Sequence, residues 1–251
     1  MKIIILAAGK GERLRPLTLN TPKPLLDLGN GLTLIESQLQ SIQRSGVIDE
    51  VVLVTGYLSE QIDAKLKTFP AGGLSIRAVF NPFFGVSNNF MSMWLARHEM
   101  SGDFMVTNGD NLFAPEVFRG FVEGCGEGVH LAVGPHKDFD HDDMKVNIQH
   151  GLVARVSKKL TAEQSHLESP GLTMVRGARA RHLFGTHLNH LAREAASLNV
   201  FWLEIFNRLY EVGVPVNPWE FDAAGKWQEI DFHKDIQRLR ASIQVRPGLL
   251  E

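Results

Sequence analysis

Lys2-Ile-Ile-Ile-Leu-Ala-Ala-Gly-Lys-Gly-Glu-Arg-Leu-Arg-Pro-Leu-Thr18 opens the chain, and Thr21-Pro-Lys-Pro-Leu25 closes the same segment. The apolar run Ile3 to Leu6 reads as a buried strand. It empties into a loop of small residues, Ala7, Ala8, Gly9 and Gly11, which carries the cations Lys10, Arg13 and Arg15. Without Cβ atoms, Gly9 and Gly11 can take φ > 0 and bring backbone N–H groups close to a polyanion, while the arginines supply fixed positive charge. Such a loop suits phosphates. Its spacing is not that of a P-loop, and Gly9-Lys10-Gly11 lacks the third glycine of the dinucleotide fingerprint.

Working outward, Thr33 with Glu36 forms a capping-box pattern, and Leu34, Ile35, Leu39 and Ile42 recur at helical spacing until Gly46. Val51 to Thr55 is a buried-strand run, Ser59 opens a second helix carrying Ile62 and Leu66, and Ser75 to Phe80 alternates as a third strand before Asn81-Pro82. The resulting βαβαβ pattern predicts a parallel sheet with helices on both faces. Phe83 to Asn89 is a loop delivering Asn88 or Asn89 as the cap of a helix from Phe90 to Met100. Asp103 to Thr107 is a fourth strand, ending at Asn108-Gly-Asp110-Asn111. Open α/β sheets bind ligands at the carboxyl ends of their strands, where both Asp110 and the first loop fall.

The second half is less regular. Val129 to Val133 reads as a strand, Asp138 to Lys145 as a polar loop, and Val146 to Val156 as a hairpin around Gly151, with Lys158-Lys159 following at once. Helical patterns run from Ala178 to Ala196 and from Phe201 to Tyr210. Val214-Pro-Val216 and Glu229-Ile-Asp231 bracket the last strands, and Lys234 to Ile243 is a closing helix. No internal repeat or linker interrupts the chain, so the expectation is one domain over residues 1–251, with a first half of about 1–112 and a second of about 113–251.

Composition limits the partners. With 26 basic against 28 acidic residues and a formal charge of −2, no global field favours nucleic acid or an anionic membrane. Arg176-Gly-Ala-Arg-Ala-Arg-His182 is a short basic stretch that reads as a solvated helix face. The single cysteine, Cys125, has no partner for a disulfide or zinc site; it reads as a helix-end residue, and a reducing cytoplasm is the expected location. The N-terminal apolar run is too short for a signal peptide or a membrane span.

The loop, the Pro-Lys-Pro segment and their strand context together resemble the start of nucleotidyltransferases, which join a nucleoside triphosphate to a small phosphorylated substrate and release pyrophosphate. The resemblance implies a three-layer α/β/α, Rossmann-like fold with a mixed, mostly parallel sheet. Chemistry of this kind needs a divalent cation on the triphosphate, and magnesium prefers one or two carboxylates with water and phosphate oxygens. The family places one metal-binding aspartate after each of two strands, contexts matched here by Asp110 and Asp231. Lys23 matches its α-phosphate lysine, held between two prolines, and Arg13 its arginine for the β- and γ-phosphates. Lys10 is a weaker candidate, and Glu12 departs from the Ser or Thr often found before that arginine. Leu6, Ala7, Ala8, Gly9 and Gly11 would follow the nucleotide.

Val86-Ser-Asn-Asn-Phe-Met-Ser-Met-Trp94 and Asp143-Met-Lys145-Val resemble segments of phosphocholine and phosphonate cytidylyltransferases, which tilts the nucleotide to CTP with Asn88 and Asn89 at its base or ribose. Lys145 and Lys159 are then candidates for the acceptor's phosphate or phosphonate. Trp202, Glu204, Trp219 and Trp227 are candidates for an acceptor cation, although aromatics at helical spacing also serve a core. No general base is needed, because a phosphomonoester is largely ionised at neutral pH. His136, His141 and His150 accordingly read as solvated rather than catalytic. A sugar-1-phosphate nucleotidyltransferase using another triphosphate, or a catalytically silent nucleotide-binding module, are the alternative readings. The oligomeric state stays open.

Overall fold

The computed structural model describes residues 1–135, 139–161, 163–165 and 167–245. His136 and Asp138 lie outside them. Four parallel strands come first, β1 (Lys2–Leu6), β2 (Glu50–Thr55), β3 (Ser75–Phe80) and β4 (Phe104–Asn108), followed by a short β5 (Asn111–Phe113) outside the main sheet. Between them run α1 (Leu34–Ser45), α2 (Ser59–Thr68) and α3 (Asn89–Leu95). The chain continues through α4 (Pro115–Gly124), β6 (Gly128–Pro135), β7 (Lys145–Gln149), β8 (Leu152–Ser157), β9 (Leu167–Glu168) and β10 (Thr173–Arg176). It ends in α5 (Ala178–Leu191), α6 (Glu204–Glu211), β11 (Val216–Glu220), β12 (Trp227–Glu229) and α7 (His233–Val245).

The main sheet has the order β3-β2-β1-β4-β10-β6-β9-β7-β8, with β11 parallel to β6 on its other side. β1, β2, β3 and β4 are mutually parallel, whereas β8, β9 and β10 run against the prevailing direction. The mixed, mostly parallel sheet expected from the sequence is therefore present. Its interior strands must be apolar on both faces. In β1, Ile4 and Leu6 join one core with Phe90, Phe184 and Phe206, while Ile3 and Ile5 join the opposite core with Ile35, Leu39 and Phe121. Helices α3, α5 and α6 thus cover one face and α1, α2 and α4 the other, giving three layers.

The local signals hold where they are strong. Thr33 accepts the N–H of Glu36, whose carboxylate accepts the N–H of Thr33, and Gly46 ends α1 in the left-handed region. Asn88 is the cap of α3, but that helix stops at Leu95 and tightens into a 3-10 turn over Ala96–Glu99, short of the Met100 expected. Likewise α5 stops at Leu191, before Ala196, and the aromatic helix begins at Glu204 rather than Phe201. The basic stretch is not a purely solvated face: Arg176 donates to the carbonyls of Val122 and Cys125, and Arg181 pairs with Asp103 at the start of α5. No helix among the described residues is long and apolar enough to cross a membrane.

A third, smaller core positions the functional end of the molecule. Leu14, Leu26 and Leu28 of the first loop pack with Leu112 of β5, Ile230 after β12, and Ile236 and Leu239 of α7. The start and the finish of the chain are locked together there. Antiparallel pairing of β12 with β5 sets Glu229 opposite Asn111, and the Ile230 N–H donates to the Asp110 carbonyl at 2.9 Å.

Candidate active site

A cleft of about 430 Å³ opens at the carboxyl ends of β1 and β4, a size usual for a small-molecule site. Leu6, Ala7, Ala8, Gly9, Gly11 and Arg13 line one wall, with Lys23, Asp110 and Asp231 at the base and Asn88 and Asn89 beyond. Gly11 is left-handed at φ 61°, and a Cβ there would stand 3.0 Å from Thr18 and 3.2 Å from Lys23. Thr18 Oγ1 donates to the Gly11 carbonyl at 2.7 Å, fixing that turn. Gly9 does not take positive φ, contrary to expectation, and a Cβ there would meet no atom within 4 Å, so the fold itself does not require its small size.

Lys23 joins the two aspartates. Its ammonium donates to Asp110 Oδ2 at 2.8 Å and to Asp231 Oδ1 at 3.0 Å. Burial opposes this charge, yet Asp110 and Asp231 outweigh burial and hold the lysine above its usual range. Arg13, 46% exposed, pairs with Asp231 and stacks at 5.2 Å over Phe232. Burial opposes its charge too, and Asp231 and Asp142 more than compensate, so it also stays raised. Asp231 sits in a turn whose N–H groups, from Asp231 and Phe232, both donate to Asp235 Oδ2.

The Asn108–Asn111 turn is braced from several directions. Gln38 donates to the carbonyls of Asn108 and Asn111, Trp202 Nε1 donates to Asn108 Oδ1 at 2.8 Å, and Trp227 Nε1 donates to Asn111 Oδ1 at 2.9 Å. Asp110 Oδ1, by contrast, is buried without a hydrogen-bond partner. Such an orphaned carboxylate oxygen is costly unless a cation meets it. Among the described residues no group of three or more His, Cys, Asp or Glu side chains is arranged to hold a metal. Two carboxylates with one orphaned oxygen fit a magnesium ion that takes its other ligands from water and phosphate, not a closed protein cage.

The second half contributes differently from its sequence reading. Lys145 is 5% exposed and outside the cleft lining; its ammonium donates to the carbonyls of Asp140, Asp143 and Lys158. Lys159 points to solvent, and Lys158 is the lysine that reaches the cleft, paired with Asp142 and 4.8 Å from the centre of the Phe201 ring. Glu204 lies on the exposed side of α6 and accepts from Asn207, which in turn holds the backbone of Val156. Trp219 stacks between Phe121 and Phe221 in a core. Trp202 and Trp227 do line the cleft, though the N–H of each is spent on the Asn108–Asn111 turn.

Residues that the sequence does not single out as site candidates also line the cleft, among them Phe84, Asp142, Glu168, Phe201 and Glu229. Glu229 is open to the water of the cleft by area yet closely surrounded by protein. That crowding, then the charges of Asp110 and Asp231, push its carboxyl up to about 8. Asp142 is hindered by burial, but Lys158 and Arg13 prevail and keep it below the usual carboxylate range. No single position announces these residues: Asp142 and Glu168 come from the β7–β9 region, Glu229 from the pairing of β12 with β5, and Phe84 and Phe201 from loops after β3 and before α6. His141 and His150 are exposed, as expected of solvated histidines, and Cys125 is buried with its thiol pushed up by that burial to about 11.

The amides at the far end of the cleft have fixed roles. Asn88 Oδ1 accepts the Asn89 N–H at 2.8 Å, and Asn89 Oδ1 accepts the Trp202 N–H at 3.0 Å. Their carbonyl oxygens thus serve the backbone, and their Nδ2 groups are left as donors in the lining.

Residues 2–124 match the model of the Nucleotidyl transferase family. A choline-phosphate cytidylyltransferase of Streptococcus pneumoniae is 39% identical over 119 residues, 47% of this chain and 48% of that protein, so the chain spans about half the length of this relative in the match. A 2-aminoethylphosphonate cytidylyltransferase of Lancefieldella rimae is 27% identical over 225 residues, 86% of this chain and 84% of its own. Among solved structures, a CTP:phosphocholine cytidylyltransferase from Streptococcus pneumoniae superposes with a TM-score of 0.78 at 25% identity, covering 96% of this chain and 98% of that one.

Proposed function

We propose that this chain, whose residues 2–124 match the nucleotidyl transferase model, transfers a cytidylyl group from CTP to a small phosphomonoester or phosphonate. The observation that carries the reading is the junction at Lys23, whose ammonium, carried by the segment that closes the first loop, donates to both Asp110 and Asp231. In this role the loop from Ala7 to Arg13 lies along the triphosphate, Arg13 takes the β- and γ-phosphates, and Lys23 takes the α-phosphate. Asp110 and Asp231 would hold magnesium, which when bound supplies positive charge to the triphosphate.

An ionised oxygen of the acceptor attacks the α-phosphorus in line. One P–O bond forms to the acceptor, the bond between the α-phosphorus and its bridging oxygen breaks, and pyrophosphate departs with that electron pair. No proton moves, so no histidine is required. Lys23 and Arg13 work by stabilising charge that builds on the α-phosphate and the leaving group.

Two features support the finer assignments. The Nδ2 donors of Asn88 and Asn89 suit the adjacent acceptors N3 and O2 of cytosine, whereas uracil would turn an N3–H donor towards them. On the acceptor side, Lys158 offers a cation for a phosphate or phosphonate, and Glu168, Phe201 and Trp227 in the same cleft supply a carboxylate and aromatic rings that suit an amine-bearing or choline-like group. Pyrophosphate release measured with each of the four nucleoside triphosphates against phosphocholine, 2-aminoethylphosphonate and glucose 1-phosphate tests the reading. Turnover is expected with CTP and one of the first two; turnover only with the sugar phosphate would sink it.

A further inference from the structure

Asp142 belongs to neither half of the reaction as assigned above, yet it touches both. Its Oδ2 lies 2.5 Å from Arg13 Nη1 and its Oδ1 lies 3.2 Å from Arg13 Nη2, a two-pronged contact with one edge of the guanidinium. The same Oδ1 accepts from Lys158 Nζ. Arg13 comes from the loop after β1 and Lys158 from the end of β8, so a single carboxylate, 17% exposed, joins a cation of the donor side to a cation of the acceptor side. Left alone, two cations this close would repel and their long side chains would wander.

The loop that presents Asp142 is tied by other groups. Asp140 Oδ1 accepts the N–H groups of Asp142 and Asp143, Asp143 Oδ2 accepts the N–H of Asp140, and Lys145 bolts the carbonyls of Asp140 and Asp143 to that of Lys158. None of these bonds uses the Asp142 side chain. The fold has therefore built a support whose one outward carboxylate is committed to Arg13 and Lys158.

We infer that Asp142 is a positioning residue, which fixes the spacing of Arg13 and Lys158 and so aligns the acceptor oxygen with the bond that releases pyrophosphate. This rests on the proposed transfer reaction. Alignment matters at the transition state more than in the bound complex. Removing the carboxylate leaves both cations able to attract phosphate but no longer registered to each other. Asp142→Asn is expected to lower kcat by about ten- to a hundredfold, with KM for CTP and for the acceptor unchanged or lower, because local positive charge has increased. The loop's own hydrogen bonds survive the substitution, so thermal unfolding should match that of the parent.

Steady-state kinetics on the active CTP and acceptor pair make the test, alongside arginine-selective NMR of the protein without substrates. In the parent the two-pronged contact with Asp142, added to the pairing of Nη1 with Asp231, hinders rotation of the Arg13 guanidinium and keeps its Nη signals distinct; in Asp142→Asn, with Asp231 the remaining charged partner, the signals should exchange faster and move together. An unchanged kcat, or a rise in both KM values with kcat intact, would overturn the inference, as would Nη signals identical in the two proteins. If the parent turned over no pair, the functional reading would fall instead, and the NMR comparison would still decide whether Asp142 orients Arg13.

Discussion

The loop after β1 and the loop before β7 bring charge to the same cleft by opposite means. In the first, Gly11, Arg13 and Lys23 stand within one short stretch of chain, and a parallel strand end aims them at the site. In the second, Asp142 reaches the cleft from a loop that Asp140 and Asp143 tie internally and Lys145 pins to the end of β8, with β9 lying between β6 and β7 in the sheet. A site built on one strand end is specified by local chemistry. One built across antiparallel register is specified by pairing, and its side chains acquire their roles only after the sheet has formed.

The largest effect is expected where both constructions meet. Asp110 lies in the turn after β4, and Asp231 is brought beside it by the pairing of β12 with β5. Asp110→Asn should lower kcat/KM roughly a thousandfold, the loss of several kcal/mol of charge stabilisation. The backbone contact of Asp110 with Ile230 does not involve the side chain, so folding should be spared. Turnover at the parent rate would remove the metal role from Asp110 and leave the first loop as a binding feature only.

Lys145 tests the support of the second region. Its buried ammonium satisfies three carbonyls, and Lys145→Met would leave them without that donor. A loss of about 3 kcal/mol of stability is expected, read from the urea midpoint at constant slope. If the midpoint did not move, the loop before β7 would owe its shape to its aspartates alone, and the contrast with the first loop would weaken.

What could be read from residues alone divides along the same line. The strand from Ile3 to Leu6, the Thr33 capping box, the Asn88 cap and the acid after β4 are each determined by neighbours in sequence, and the structure has them in place. Lys145 is an acceptor candidate through the resemblance of Asp143-Met-Lys145-Val to a cytidylyltransferase segment, and nothing near it in sequence signals that the carbonyl of Lys158 lies within its reach. Glu204 and Trp219 were likewise candidates by type, whereas their surroundings, Asn207 for one and Phe121 with Phe221 for the other, are set by packing. Glu168 and Glu229 gave no sign because a two-residue strand and a three-residue strand carry too little pattern to orient a side chain.

The smallest effect gives the sharpest comparison, since it concerns adjacent residues of the same type. Lys158 and Lys159 follow β8 directly, and of the two it is Lys159 that the sequence offers as an acceptor candidate. Once the hairpin of β7 and β8 is formed, the carbonyl of Lys158 is held by Lys145, and the N–H of Lys159 donates to Ser157 Oγ at 3.1 Å. Those two backbone contacts turn the neighbouring side chains apart, Lys158 over Phe201 into the cleft and Lys159 into solvent. Lys158→Ala is therefore expected to raise the acceptor KM about tenfold, the worth of one charge-assisted hydrogen bond near 1.4 kcal/mol. Lys159→Ala should stay within about twofold of the parent, as exposed lysines away from a site generally do. Acceptor titrations at saturating CTP separate the two. Equal effects would mean that the hairpin does not select between them and that general positive charge, rather than placement, draws the acceptor in.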